Sequence, residues 1–208
     1  MSKRAPIQEI DPRYPQPRHI QRAVAVLEAG GIVAYPTDTY FAIGCDFAQR
    51  KAVERMASFK RRDDKKPFSF LCADLADVAH WAIVSNDTYR ILKRLAPGPY
   101  TFVLNATREV PRTALTKQRS VGIRIPDAPV AQALVHALGR PLETSSAELP
   151  EHEEPPFDAS EVQEQMGHLI DLILDGGATL NEPSTVLDLT GPTPIVLREG
   201  KGSVEGLL

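Results

Sequence analysis

Thr37, Asp38 and Thr39 lie in the segment PTDTYFAIGC, directly after the β-branched run IVAYP. Three small polar side chains at the end of a strand can hold a zwitterion, or can simply cap the next element. A second group lies in SFKRRDDKKPFSF, where positions 50–66 carry eight basic and three acidic residues. Lys60, Arg62 and Lys66 fall between a helical pattern and a strand and could face a polyphosphate or RNA. Arg would offer a forked donor there and Lys a compact charge, although a solvated charged turn needs no ligand. In ETSSAELP, Thr144, Ser145 and Ser146 follow another strand, where hydroxyls bond either phosphate oxygens or the N–H groups of a new helix. The segments NEPSTVLDL and LREGKG bring Ser184, Thr185 and Arg198 onto neighbouring late strands. Turn and capping chemistry accounts for any one of these segments alone.

The elements that must position them follow from periodicity. HIQRAVAVLEAGG has apolar residues at Ile20, Ala23, Val24 and Leu27, the spacing of an amphipathic helix, with Gly30 and Gly31 as its stop. Residues 32–36 read as a buried strand and 49–60 as a helix. A strand at 68–72, helices near 74–81 and 86–95, and strands at 101–106 and 121–126 come next. A helix over 128–139, a strand at 141–146, a helix near 158–167, and strands at 169–174, 185–189 and 194–199 complete the pattern. The acidic, proline-broken segment 148–158 reads as a surface loop. Strands alternate with helices and then cluster at the end, which predicts an α/β domain on a mixed, twisted sheet. In such sheets ligands sit where loops leave strand ends, which is where all four polar segments fall.

The 208 residues, 42% hydrophobic and 25% charged, suit one soluble domain. No apolar run approaches the roughly 18 residues a membrane span requires, and the basic, proline-containing N-terminus has no apolar core, so a cytoplasmic location is expected. Cys45 and Cys72 are expected to be reduced, buried thiols. The five histidines show no metal-ligand spacing, and no structural metal is expected. The net charge of −3 hides an asymmetry. Residues 141–197 contain twelve acidic residues and no Lys or Arg, whereas residues 1–140 hold 22 of the 24 basic residues against 13 acidic ones. The first two thirds are anion-seeking.

Taken in order, PTDT, K-x-R at 60–62, PGP-x-T at 97–101, G-x-R-x-P at 122–126, the serine element at 146–148, P-S-T-V-x-D at 183–188 and R-x-G at 198–200 resemble the YrdC/YciO family. The likeness runs over about residues 17–202. PGPYTF, EVPR and IPDAPVAQALVHALGRP are most similar to its YciO-like branch. The resemblance implies one YrdC-like domain across residues 1–208, with a twisted, mixed open sheet, packed helices and a concave cationic face. It implies a nucleotidyltransferase that makes threonylcarbamoyl-AMP from threonine, bicarbonate and ATP, with Mg on the triphosphate, for the modification of an adenosine in tRNA. Other members are described as binders of double-stranded RNA or tRNA, which gives a second, non-catalytic reading. Residue by residue, Lys60 and Arg62 would be the catalytic pair. Thr37, Thr39, Thr101 and Arg124 would contact substrate, and Ser146, Ser184 and Arg198 the nucleotide. Glu148 falls on the nucleotide side by its place in the serine element, and Lys66 by its place in the basic turn. Two positions depart from the family pattern: Glu148 stands where the S-x-N element has Asn, and Asp63 stands where synthases have Pro. At ~4 Å and an effective dielectric of ~20, a carboxylate facing a phosphate costs on the order of 4 kcal/mol before screening, which weighs against ATP-dependent synthesis.

Overall fold

In the computed structural model, which describes residues 4–61, 68–111, 114–152 and 154–206, ten strands join in one mixed, open sheet. In chain order the elements are β1 (Ile7–Glu9), α1 (Pro17–Glu28), β2 (Ile32–Tyr35), β3 (Ala42–Asp46), α2 (Arg50–Phe59), β4 (Ser69–Leu71), α3 (Leu75–Trp81), α4 (Asn86–Leu95), β5 (Tyr100–Asn105), β6 (Ser120–Arg124), α5 (Pro129–Leu138), β7 (Leu142–Ser146), α6 (Ala159–Met166), β8 (Leu172–Asp175), β9 (Thr185–Asp188) and β10 (Ile195–Arg198). The strand order is β1-β8-β2-β3-β7-β4-β6-β5-β9-β10. Four pairs are parallel (β1 with β8, β8 with β2, β4 with β6, β5 with β9) and the other five antiparallel, three of them consecutive from β2 through β3 and β7 to β4. This is the single α/β domain that the alternating pattern predicts.

The helices form where the apolar spacing places them. In α1 the buried residues are Ile20, Ala23, Val24 and Leu27. The chain leaves α1 through Gly30, whose φ of 81° is costly for any residue with a Cβ. Gly139, with φ 71°, ends α5 in the same left-handed conformation. Asp74, Ser85 and Asp158 cap α3, α4 and α6, each side chain accepting from the N–H three residues on.

Two strands go beyond the pattern reading. β1 is three residues long and lies in the proline-containing lead-in, too short to show alternation. β3 is buried at all five positions, and its sequence AIGCD includes a glycine, so neither alternation nor β-propensity marks it. It exists because β2 and β7 pair with it on either side. The run LIDLIL becomes a strand only from Leu172. Asp171 instead accepts from the Ile32 N–H at 2.8 Å and pairs with Arg55.

The two halves of the sheet are covered differently, and this positions the site. Around β2, β3 and β8, α1 and α5 pack on one face and α2 and α6 on the other. Around β4, β6, β5 and β9 only one face is covered. There Phe70, Phe102, Ile123 and Leu187 pack with Val78, Trp81 and Leu92 of α3 and α4. The alternate residues of these strands point to the opposite, uncovered face.

Cys45 and Cys72 are both free and buried, and burial pushes both thiols up from their ordinary value. A thiol-disulfide reagent at pH 8 is therefore expected to leave both unmodified in the native protein and to titrate both after denaturation. Phe102, 1% exposed, anchors the one-sided half of the sheet. Phe102→Ala should lower unfolding free energy by about 3–5 kcal/mol in urea titrations.

Candidate functional site

Pairing register brings one row of residues onto the uncovered face. Gly44 pairs with Thr144, Thr144 with Ser69, Ser69 with Gly122, Gly122 with Val103, and Val103 with Asp188. Paired residues point the same way, so this row runs across six strands. Its members from Thr144 to Asp188 form the floor of a cavity of about 940 Å³. Gly122 lies mid-floor, and a Cβ there would meet Ser69 Oγ at 2.7 Å. Beneath the row, Thr144 Oγ1 donates to the Ile43 carbonyl at 3.0 Å, so the buried Tyr35 hydroxyl must donate to Thr144 Oγ1 at 2.6 Å. Burial pushes the Tyr35 hydroxyl up from its ordinary value, which keeps it protonated for that bond.

One wall is the loop after β2. Thr37 Oγ1 accepts from the Thr39 N–H at 3.1 Å and donates to the Tyr40 carbonyl at 2.6 Å, which folds the loop on itself. Arg124, at the end of β6, reaches up from the floor. Its Nη2 donates to Thr39 Oγ1 at 2.6 Å and pairs with the Asp38 carboxylate. The other Asp38 oxygen accepts from the Asp127 N–H at 3.1 Å. Burial lowers the Arg124 guanidinium from its ordinary value and Asp38 opposes that shift, so the group remains a cation. Its Nε is buried without a hydrogen-bond partner, a donor directly beside the cavity.

The facing corner is built on β9 and β10. Ser184 Oγ lies 2.9 Å from Thr101 Oγ1. Arg198 donates through Nε and Nη2 to the Ser184 carbonyl at 3.1 and 2.8 Å, and through Nη2 to Ser184 Oγ at 3.1 Å. Lys201, in the turn that follows, donates to the Asp38 carbonyl at 2.6 Å. That bond ties this corner to the loop on the other wall.

The third side is the segment after β7. Ser146 Oγ donates to Glu148 Oε2 at 3.3 Å, and the Glu148 side chain stands exposed at the rim. Tyr40, Glu148 and Arg198 all line the cavity; burial and then the Glu148 charge push the Tyr40 hydroxyl up, with Arg198 opposing. Lys60 does not line the cavity. Its ammonium donates to the main-chain carbonyls of Ser146, at 3.0 Å, and of Glu148, so it braces this wall from behind. The next residue, Arg61, lies 3.7 Å from Glu151, a contact between the basic turn and the acidic loop.

The structure thus brings Thr37, Thr39, Thr101, Arg124, Ser146, Glu148, Ser184 and Arg198 to one cavity, with Lys60 against its wall. Arg62, Lys66 and Asp63 lie outside the described residues. Sequence reasoning gave no role to Tyr40, Asn105, Gln118, Asp188 or Lys201, Asp188 entering only as the last position of P-S-T-V-x-D. For Asn105 the signal was present: Thr101, Val103 and Asn105 alternate along β5 with buried Phe102 and Leu104. Lys201 reaches Asp38 across 163 positions of chain, and no local pattern announces that.

The family model Sua5/YciO/YrdC, described as "Telomere recombination", matches residues 25–200. The chain is 40% identical over 200 residues to YciO of Escherichia coli K12, an uncharacterized protein, covering 96% of this chain and 97% of that one. The crystal structure of E. coli YciO superposes with a TM-score of 0.93 at 39% identity, over 98% of this chain and all of the other. A threonylcarbamoyl-AMP synthase of Vibrio vulnificus YJ016 is 31% identical over 186 residues, 88% of this chain and 98% of the synthase. The crystal structure of P. abyssi Sua5 complexed with L-threonine gives a TM-score of 0.87 at 29% identity, covering 94% of this chain and 58% of that one. With its ordered motifs, its sheet and these relatives in agreement, the chain belongs to the YrdC/YciO family.

Proposed function

We propose that this protein brings an adenine nucleotide and threonine together in threonylcarbamoyl-adenylate chemistry, as a nucleotidyltransferase serving tRNA modification. The observation that carries the reading is a single cavity bounded by the Thr37–Thr39 loop, the buried Arg124 and the Ser184–Arg198 corner. Support comes from a shared fold with a protein crystallised with L-threonine and from shared sequence with threonylcarbamoyl-AMP synthases. In this reading the Thr37 and Thr39 hydroxyls and Arg124 take the amino acid, Arg124 facing its carboxylate. Arg198, Ser184 and Thr101 take phosphate oxygens.

The threonine nitrogen attacks CO2 and loses a proton to give a carbamate. A carbamate oxygen then attacks the α-phosphorus of ATP as the bond to the β-phosphate oxygen breaks, and pyrophosphate leaves. Negative charge grows on the phosphate oxygens, so fixed cations and hydroxyl donors there contribute most to lowering the barrier. Lys60 acts in this scheme by holding the 146–148 wall. Arg62 and Lys66 are assigned to phosphate from the sequence motif alone. Among the described residues no group of three or more metal-ligating side chains occurs. A Mg ion would therefore arrive with the triphosphate and keep phosphate and water ligands.

Attachment of tRNA or double-stranded RNA without catalysis is the weaker reading. It rests on solvated cations such as Arg50 and Arg61 of the 50–66 segment, whereas Arg124 and Arg198, the cations that line the cavity, are held by bonds within the protein.

Three outcomes are expected. Pyrophosphate release from ATP should require both threonine and bicarbonate, and calorimetry showing no adenine nucleotide bound at millimolar concentration would end the proposal. Arg198→Ala should weaken AMP and ATP binding by about tenfold or more, the loss expected for charge-assisted hydrogen bonds, while leaving threonine affinity nearly unchanged. Glu148→Asn should raise synthase turnover by roughly tenfold. Removing a rim carboxylate removes repulsion of the triphosphate, and exposure of Glu148 screens that repulsion below its value for a buried pair.

A further inference from the structure

Thr101, Ser184, Arg198 and Arg124 lie toward one end of the cavity, at the start of β5, just before β9, at the end of β10 and at the end of β6, while Ser146 lies level with Ser120. The other end is lined by Asn105, Gln118, Ser120, Asp188 and Thr190. None of these is a cation, so this end is built for a different part of a ligand. Its two principal acceptors are oriented by bonds to one residue. Asp188 Oδ1 accepts from both the N–H and the hydroxyl of Thr190, at 2.9 and 2.6 Å. Asn105 Nδ2 donates to the Thr190 carbonyl at 2.9 Å. Asp188 Oδ2 and Asn105 Oδ1 take no part in these bonds.

We propose that Asp188, seconded by Asn105, is a subsite for the 2′,3′-diol of a ribose. This rests on the nucleotide reading above and adds the direction in which the nucleotide lies. Val186 and Asp188 share the cavity face of β9, because residues two apart on a strand point the same way, and Ser184, the residue before β9, lines the same cavity. At the rise of a strand, the four steps from Ser184 to Asp188 span ~13 Å. A hydrogen bond of ~2.8 Å at each end leaves about 7 Å, the reach of a 5′-phosphoribosyl unit from phosphate to diol. A nucleotide lying along β9 therefore places its α-phosphate at Arg198 and Ser184, beside the Thr37–Thr39 loop where the amino acid must meet it. The reverse orientation would set phosphate against the Asp188 carboxylate. A carboxylate that accepts from ribose hydroxyls at one end and a cationic corner at the other are the same division of labour that dinucleotide-binding folds use.

The test is calorimetric titration of the full chain with AMP, 2′-deoxy-AMP and 2′,3′-dideoxy-AMP. The native protein should bind AMP about tenfold more tightly than the dideoxy analogue, the ordinary value of one charge-assisted hydrogen bond. Asp188→Ala should bind both nucleotides alike, at the level of the native protein with the dideoxy analogue. Asp188→Asn keeps an oxygen for the Thr190 bonds and so guards against a folding defect. It should lose the discrimination while its melting temperature stays near native. Equal affinity of the native protein for AMP and dideoxy-AMP overturns the subsite and leaves the nucleotide reading standing, as does equal weakening of both ligands by either variant. No binding of any of the three overturns both.

Discussion

A guanidinium placed at the bottom of a cavity has to be matched there by a carboxylate, and Arg124 with Asp38 meets that condition. Leaving either charge alone in such a position would cost several kcal/mol. Each partner also does something else. Arg124 draws in the Thr39 hydroxyl, and Asp38 takes the Asp127 N–H on one side while its own carbonyl receives Lys201. The loop after β2, the end of β6, the start of α5 and the turn after β10 are thereby fixed to one another. The loop wall and the corner after β10 are attached to this pair.

The asymmetry of the sheet provides the room. Where helices cover both faces, paired residues such as Val33 and Leu172 are core. Where α3 and α4 cover only one, the opposite row is Ser69, Gly122, Val103 and Asp188, a set too small or too polar to attract another layer. One chain thus alternates between a fully buried sheet and a sheet with a wet face, and the boundary runs through β7. Thr144 stands on that boundary, with the Tyr35 hydroxyl on its buried side and the cavity on the other.

Much of this was legible before any coordinates. Helical patterning marked the six helices of the described residues, and a glycine stop marked the end of α1. The ordered motifs located eight residues that now share one cavity. What escaped was set by distant partners. β3 has no alternation because both of its faces are buried, and β1 is defined mainly by its pairing with β8. Lys60 reads as a ligand-facing cation from its motif, yet its position is decided by two carbonyls 86 and 88 residues away. Asp188 entered as the last position of P-S-T-V-x-D with no role of its own, because only the register of β9 against β5 shows which way it points.

Gly122 carries a consequence for the whole cavity. It lies mid-floor, where a single added carbon would run into the Ser69 hydroxyl. The depth of the trough therefore depends on an omission, one hydrogen where every other amino acid places a carbon. Any enlargement at this position would lift a step across the middle and divide a continuous channel into two shallow basins. A long ligand would then have to bend over the step or be admitted only in part, so the capacity for an extended molecule rests on the smallest residue in the sheet.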